Sequence, residues 1–289
     1  MTLFDPAAES GGSLAPDLAR DPIDALASQD APDATVSASE SLIIRMTVAY
    51  DGTDFHGFAA QRDQRTVAGE ITSALATVLK AEIILACAGR TDAGVHAWGQ
   101  VVSFAAPVGT NPEMLVERLN RMLGSEIAVR NASIAPTGFD ARHSARARTY
   151  RYTVLNRSTP DPFFARSAWW VPEPIDIRAL QLAATPFIGE HDFASFCRKG
   201  PEGSTTIRRV LESEWSDLGD GVLQYQVKAT AFCWQMVRSL VGTQVEAGRG
   251  RKRAGEMLSI LRAKDRSAAG QLAPPHGLSL WRVDYEDGG

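Results

Sequence analysis

The most restrictive pattern in this sequence is a strict alternation of apolar and polar residues in its second half. Apolar side chains stand at every second position from Leu223 to Ala231, with polar side chains between them. Successive side chains of a strand point to opposite faces of a sheet, so the pattern predicts a strand that buries one face only. The Gly219–Gly221 turn before it predicts a hairpin, and sheets with one solvated face are commonly antiparallel.

The rest of the chain mixes strand and helix patterns in an irregular order. Further strands are predicted at Ile43–Tyr50, Ile83–Ala88, Trp98–Phe104, Ile127–Ile134, Tyr150–Leu155, Ile207–Trp215 and Leu278–Tyr285. Apolar residues at helical spacing predict helices at Val67–Leu79, Pro112–Met122, Ile177–Ile188, Met236–Val245 and Met257–Ala263. Two mixed lobes, residues 41–145 and 146–289, with largely antiparallel strands fit this order better than alternating βαβ units.

Charge is unevenly distributed along the 289 residues, whose formal net charge is −4. Residues 1–40 hold eight acidic residues against Arg20 alone, a charge of −7, which leaves +3 on residues 41–289. The acidic segment is rich in Ala, Ser, Pro and Gly and has no sustained apolar period, so we predict a disordered acidic leader. The mildly basic remainder is compatible with a polyanionic partner.

Several classes of protein do not fit the composition. No apolar stretch approaches the roughly 20 residues that span a bilayer, and no secretory signal is recognisable, so we expect a cytoplasmic protein without membrane association. The three cysteines, Cys87, Cys197 and Cys233, are too far apart in sequence for a disulfide framework or a CxxC metal site. No second histidine lies at ligand spacing from His96, which we interpret as a turn-stabilising residue, and no metal site is predicted.

The segment Cys87–Ala97 concentrates chemically useful residues between two predicted strands. Asp92 stands between Gly89 and Gly94, which allow the backbone to turn or to approach a ligand closely. Loops held by flanking strands often carry catalytic groups, and the charge of Arg90 can keep the nearby carboxylate ionised. The same Arg–Asp pair could instead do no more than stabilise the turn.

Further short motifs accompany this segment in a fixed order along the chain. They lie at Tyr50–Gly52, Gln100–Phe104, Phe139–Arg142, Arg148–Tyr152, His191–Phe193, Met236–Arg238, Ala263–Arg266 and Ala273–Leu278. Together with Ala88–His96, which resembles a signature loop, they are similar to the motifs of the TruA family of tRNA pseudouridine synthases. The resemblance covers residues 43–286, and a collinear series is far more specific than one short pattern.

The resemblance implies an α+β protein with the pseudouridine synthase fold, in which two ferredoxin-like lobes with mostly antiparallel sheets join around a central cleft. It implies isomerisation of uridine to pseudouridine at positions 38–40 of the tRNA anticodon stem-loop. Asp92 would be the catalytic carboxylate, acting as nucleophile at ribose C1′ or as a base at the ribose. Tyr150 would contact the target base, and Arg90 and Arg238 would bind substrate near the carboxylate.

The expected reaction needs little besides a carboxylate and a binding surface. It breaks the bond between uracil N1 and the ribose, turns the base and joins ribose C1′ to C5, so no cofactor is expected. The resemblance implies tRNA as partner and a homodimer. Clusters of arginine fit phosphate contacts; they lie at 142–157, 208–209 and 249–253.

Two other functions stay open from the residues alone. The chain could be an RNA-binding protein without catalysis, or a hydrolase that uses Asp92 with a second carboxylate such as Asp140. Alternation of Tyr150, Tyr152 and Val154 also predicts a tyrosine of the core rather than of a site. One departure from the family lies near Arg238, where Trp234-Gln235 stands at positions that are frequently histidine.

Overall fold

The computed structural model describes residues 41–198, 200 and 203–286. Its strands form one mixed sheet, and amphipathic helices lie between them in the sequence. The helices are α1 (Val67–Leu79), α2 (Pro112–Met122), α3 (Ile177–Ala184), α4 (Met236–Gly248) and α5 (Met257–Ala263). The strands are β1 (Ser41–Tyr50), β2 (Ala86–Cys87), β3 (His96–Pro107), β4 (Ile127–Ile134), β5 (Ala145–Leu155), β6 (Trp169–Trp170), β7 (Gly189–Asp192), β8 (Ile207–Asp217), β9 (Val222–Ala229) and β10 (Leu278–Tyr285). The predicted leader, residues 1–40, lies outside the described residues.

The strand order across the sheet is β4-β1-β3-β10-β5-β9-β8-β7, with β2 paired to β3 and β6 paired to β5. Most neighbours are antiparallel, including the predicted hairpin of β8 and β9. The two halves of the chain meet where β3 and β10 pair in parallel, at His96 with Ser279 and Ala97 with Leu280. The predicted α+β class with mostly antiparallel strands is confirmed. The division into lobes at 145/146 stays a prediction, because the strands on its two sides form one sheet.

A single apolar core runs along the sheet on the buried side of its strands. In β1 the buried residues alternate, with Ile44, Met46 and Val48 fully shielded from solvent. In β9 Tyr225 and Val227 are equally shielded, as the alternating sequence predicts. All these elements belong to one compact unit, which comprises residues 35–200 and 206–289. The second unit comprises residues 1–34 and 201–205. Of this second unit the structure describes only residues 203–205, which form no helix or strand.

The helix boundaries follow local chemistry, and two predicted elements are shorter than expected. The Asn111 side chain accepts a hydrogen bond from the Met114 amide at 2.9 Å and starts α2 at Pro112, as predicted. Helix α3 ends at Ala184 rather than Ile188, because Pro186 lacks the amide hydrogen that an α-helix needs. Strand β2 is limited to Ala86–Cys87, where the backbone pairs with β3. The short strands β6 and β7 were not predicted.

Arg148 on β5 ties several segments to the middle of the sheet. Its guanidinium donates to the carbonyl oxygens of Ala88 (3.0 and 2.9 Å), Arg142 (2.8 Å), Thr230 (2.9 Å) and Ala145 (3.3 Å). Partial burial lowers the pKa of Arg148, yet this many acceptors compensate for removing the charge from water. The contact to Ala88 anchors the start of the Asp92 loop.

Replacing Arg148 with methionine should lower the free energy of unfolding by roughly 2–4 kcal/mol, because it leaves carbonyl groups without donors. Arg146→Met is the matched control on the same strand, since Arg146 is exposed and pairs with exposed Glu286. The control should change stability by less than about 1 kcal/mol. Urea unfolding of both variants is the measurement, and equal losses would contradict the anchoring role of Arg148.

Candidate active site

The loop between β2 and β3 is shaped by buried, uncharged hydrogen bonds. The amide of Gln100, which is fully buried, donates to the Gly89 carbonyl at 2.6 Å and accepts from the Gly89 N–H at 3.4 Å. The Thr91 hydroxyl lies 2.7 Å from the Tyr50 hydroxyl, whose pKa is raised by burial. Because buried polar groups are costly to leave unpaired, these contacts hold the loop in one conformation.

The Asp92 backbone, and not its side chain, closes the turn. The Asp92 carbonyl accepts from the Val95 N–H at 3.1 Å, and the Thr91 carbonyl accepts from the Phe58 N–H at 3.0 Å. Gly57 has a φ of +91°, and a Cβ atom there would lie 2.9 Å from the Thr91 carbonyl oxygen. The glycine therefore permits the close approach of its segment to the loop.

The Asp92 carboxylate points towards the start of α4, where it meets two donors. Arg238 Nη1 lies 3.4 Å from Oδ2, and the Trp234 indole Nε1–H donates to Oδ1 at 2.9 Å. Arg238 is itself held by a 2.8 Å hydrogen bond from its Nε to the Ala273 carbonyl. The Asp92 side chain is 27% exposed and Arg238 is 12% exposed. The carboxylate thus has a counter-charge and a fixed orientation but stays open to solvent.

Tyr150 lies on β5 beside the same loop. Its ring is nearly buried and contacts Phe232 edge-on, with the centroids 5.0 Å apart. Burial raises the pKa of the Tyr150 phenol, and the negative charge of Asp92 raises it further. A Cβ atom on Gly89 would lie 3.4 Å from the Tyr150 hydroxyl, so the start of the loop lies next to the phenol.

Of the predicted site residues, Asp92, Arg238 and Tyr150 come together, and Arg90 stands apart. Arg90 is exposed, and within residues 41–198, 200 and 203–286 it forms no ion pair with Asp92. The alternative in which Arg90 and Asp92 pair to stabilise the turn is therefore wrong for this structure. The counter-charge comes from Arg238, 146 residues away in sequence.

The structure adds residues to which the sequence assigned no role. Gln100 belongs to one of the quoted motifs, but only its burial beside Gly89 shows what it does. The sequence feature that could have singled out Trp234 is that it stands where the family frequently has histidine. His96 is structural as predicted, since its Nδ1 accepts from the Gly52 N–H at 2.9 Å.

The described residues include neither a metal-binding cluster nor a membrane-spanning helix. Among them, no three His, Cys, Asp or Glu side chains are grouped so that they could hold a metal ion. No helix in the same ranges is both long and apolar enough to cross a bilayer. A surface pocket of about 450 Å³ is bordered by Trp98, Arg151 and Trp281, and Asp92 is not among its lining residues.

Comparison with known proteins identifies the class to which this fold and site belong. The model of the family described as tRNA pseudouridine synthase matches residues 46–144 and 183–286. The chain therefore belongs to the tRNA pseudouridine synthase family, a family of isomerases, as the resemblance predicted. The matched stretches contain Arg90, Asp92 and Arg238, whereas Tyr150 lies between them.

Individual relatives are similar over most of the chain. The tRNA pseudouridine synthase A of Bacillus subtilis (strain 168) is 40% identical over 246 residues, which cover 84% of this chain and 99% of the relative. The protein of the same name from Streptomyces griseus subsp. griseus is 42% identical over 249 residues, covering 84% and 87%. A solved Cbf5-Nop10-Gar1 complex is a distant likeness, with 13% identity, a TM-score of 0.31 and coverage of 83% of this chain and 59% of that one.

Gly57→Ala should destabilise the Asp92 loop, because the added methyl group meets a backbone carbonyl in addition to the strain of a positive φ. We expect a loss of roughly 2–3 kcal/mol in the free energy of unfolding. Gly138→Ala is the control: Gly138 has a φ of +81° and nothing within 4 Å of an added Cβ, so it reports strain alone. Denaturant unfolding of both variants measures the difference. Equal losses would mean that contact with the Thr91 carbonyl is unimportant.

Proposed function

We propose that this protein isomerises uridine to pseudouridine in tRNA, at positions 38–40 of the anticodon stem-loop, with Asp92 as the catalytic carboxylate. The observation that carries the proposal is the partly exposed Asp92 carboxylate held by Arg238 at 3.4 Å. Whether Asp92 attacks ribose C1′ or removes a ribose proton, the reaction needs an ionised carboxylate at the sugar, and Arg238 supplies the counter-charge.

The reaction balances within the substrate. The N1–C1′ bond breaks, the freed uracil turns while it stays bound, and a C5–C1′ bond forms. C5 then loses its proton and N1 gains one, so no net proton is taken up or released. A paired uridine must first leave the helix stack. Tyr150 is assigned to the turning base because its phenol lies beside the Asp92 loop.

A glycoside hydrolase is less well supported by the same geometry. Such enzymes use two carboxylates that flank the scissile bond. The groups that contact the Asp92 carboxylate are Arg238 and Trp234. Asp140, the second acid considered from the sequence, accepts hydrogen bonds from the N–H groups of Arg142 and His143 at 2.8 Å each and caps a turn.

The proposal extends to the partners that the family implies. Exposed Arg90 would contact a phosphate of tRNA beside the site, and the arginine clusters would contribute further phosphate contacts. The protein would act as a homodimer in the cytoplasm, where tRNA is modified. Light scattering of the purified protein tests the oligomeric state independently of activity.

Asp92→Asn should abolish pseudouridine formation while leaving tRNA affinity and stability nearly unchanged. The substitution keeps the shape of the side chain but removes its charge and replaces one accepting oxygen with an NH2 group, which cannot accept from Trp234 or Arg238. We expect a rate loss of roughly 10⁴-fold or more. The measurement is chemical mapping of pseudouridine in unmodified tRNA transcript, together with a binding assay. Product at positions other than 38–40 would overturn the proposed site on the tRNA.

Asp140→Asn serves as the matched control, since asparagine also caps turns. It should retain activity. Release of free uracil that depends on both acids would favour the hydrolase, and binding without product by the unaltered protein would favour a non-catalytic RNA-binding protein.

Arg90→Ala should weaken tRNA binding and lower the slope of log K against log salt by about one, because one phosphate contact is lost. Arg121→Ala is the control, since Arg121 is an exposed arginine of α2 paired with Glu117. Binding titrations at several salt concentrations measure both slopes. An unchanged slope with a lower rate of turnover would instead indicate that Arg90 fills the space left by the displaced nucleotide.

A further inference from the structure

Trp234 contacts the reactive group that the proposed function assigns, although neither the motifs nor the comparisons give it a role. Its indole N–H donates to Asp92 Oδ1 at 2.9 Å, while Arg238 binds Oδ2. Each carboxylate oxygen therefore has its own donor. With both oxygens engaged, rotation of the carboxylate about its last side-chain bond is restricted.

The indole is held in place although 49% of Trp234 is exposed. The guanidinium of Arg198 lies 4.2 Å from the centre of the Trp234 ring, and the Arg198 N–H donates to the Trp234 carbonyl at 3.0 Å. The segments that carry Arg198 and Trp234 are thus joined side by side.

The backbone after Trp234 explains how the indole reaches the loop. Gln235 has a φ of +63°, a left-handed conformation that is uncommon for a residue other than glycine. It precedes α4, whose first turn carries Arg238. This turn of the chain places the neutral indole N–H of Trp234 and the cationic Arg238 on the same Asp92 carboxylate. Such strain at a helix start is often retained where it serves a site.

We propose that Trp234 is a positioning residue that fixes the direction in which the Asp92 carboxylate faces the ribose. The proposal rests on the catalytic role of Asp92. Without the indole N–H, the carboxylate can rotate to bind two N–H groups of Arg238, an arrangement that arginine favours and that turns the oxygens from the substrate. An uncharged donor fixes the orientation without adding a second positive charge that would weaken the carboxylate as a nucleophile.

The test compares Trp234→Phe, which keeps a ring and loses the N–H, with Trp234→His, which restores a ring N–H. Trp234→Phe should lower the single-turnover rate on tRNA by about 10- to 100-fold, since small misplacements of a reacting group have effects of this size. The Kd for tRNA should change less than about twofold, the range expected of surface changes. Trp234→His should recover at least half of the lost activity on a logarithmic scale.

Trp98→Phe is the matched control, because Trp98 is 47% exposed and also lies under an arginine, Arg130, at 4.1 Å. It should leave the rate unchanged. A full rate in Trp234→Phe, or equal rate losses in the Phe and His variants, would overturn the positioning role. A rise in Kd at an unchanged rate would also overturn it, and would show that the indole binds RNA instead.

A second measurement does not depend on turnover. The six tryptophans can be replaced by 5-fluorotryptophan, and the Trp234 resonance is assigned by its loss in Trp234→Phe. Asp92→Ala should move this ¹⁹F resonance, and Asp140→Asn should not. An unmoved resonance would overturn the hydrogen bond and with it the proposal. If instead the resonance moves but the unaltered protein makes no pseudouridine, the proposed function fails while the contact stands.

Discussion

The parallel pairing of β3 with β10 is the contact on which the site depends. It joins the two halves of the sheet through His96 with Ser279 and Ala97 with Leu280, directly after the Asp92 loop. Closing so long a stretch of chain costs conformational entropy, which the continuous apolar core offsets. This pairing brings the Asp92 loop of the first half next to the start of α4. Asp92 and Arg238 are therefore in contact although 146 residues separate them in sequence.

Within the loop, the groups that hold the backbone differ from the group to which the proposed function assigns catalysis. Gln100, Tyr50 and Arg148 hold the backbone around Asp92 through uncharged acceptors and hydroxyl groups. The Asp92 side chain takes no part in the turn, which is closed by its carbonyl. The Asp92–Arg238 pair is long, at 3.4 Å, and largely shielded from water, so the cost of desolvating its charges offsets much of its contribution to folding. Its presence is therefore better explained by the need for a charged carboxylate than by the fold.

The sequence allowed most of the fold to be predicted, because burial follows side-chain periodicity in the long elements. Strand β4 and helix α2 have the predicted bounds. Strands β6 and β7 could not be predicted, since two and four residues carry no readable period. In the site, the local motif indicated Asp92. The local sequence alone favours nearby Arg90 as its partner, because sequence distance does not reveal which distant cation the fold brings to an acid. Only the resemblance implies that Arg238 also lies near the carboxylate.

The two donors on Asp92 bear on the orientation of the carboxylate as well as on its charge. Arginine alone can bind a carboxylate through two parallel N–H groups and would fix it facing the guanidinium. In this structure a single 3.4 Å contact from Arg238 is complemented by the indole of Trp234 on the other oxygen. Arg238 balances the negative charge of Asp92, and Trp234 sets the orientation of its carboxylate. Under the proposed function, a ribose that approaches the exposed part of Asp92 would meet a carboxylate that is already aligned.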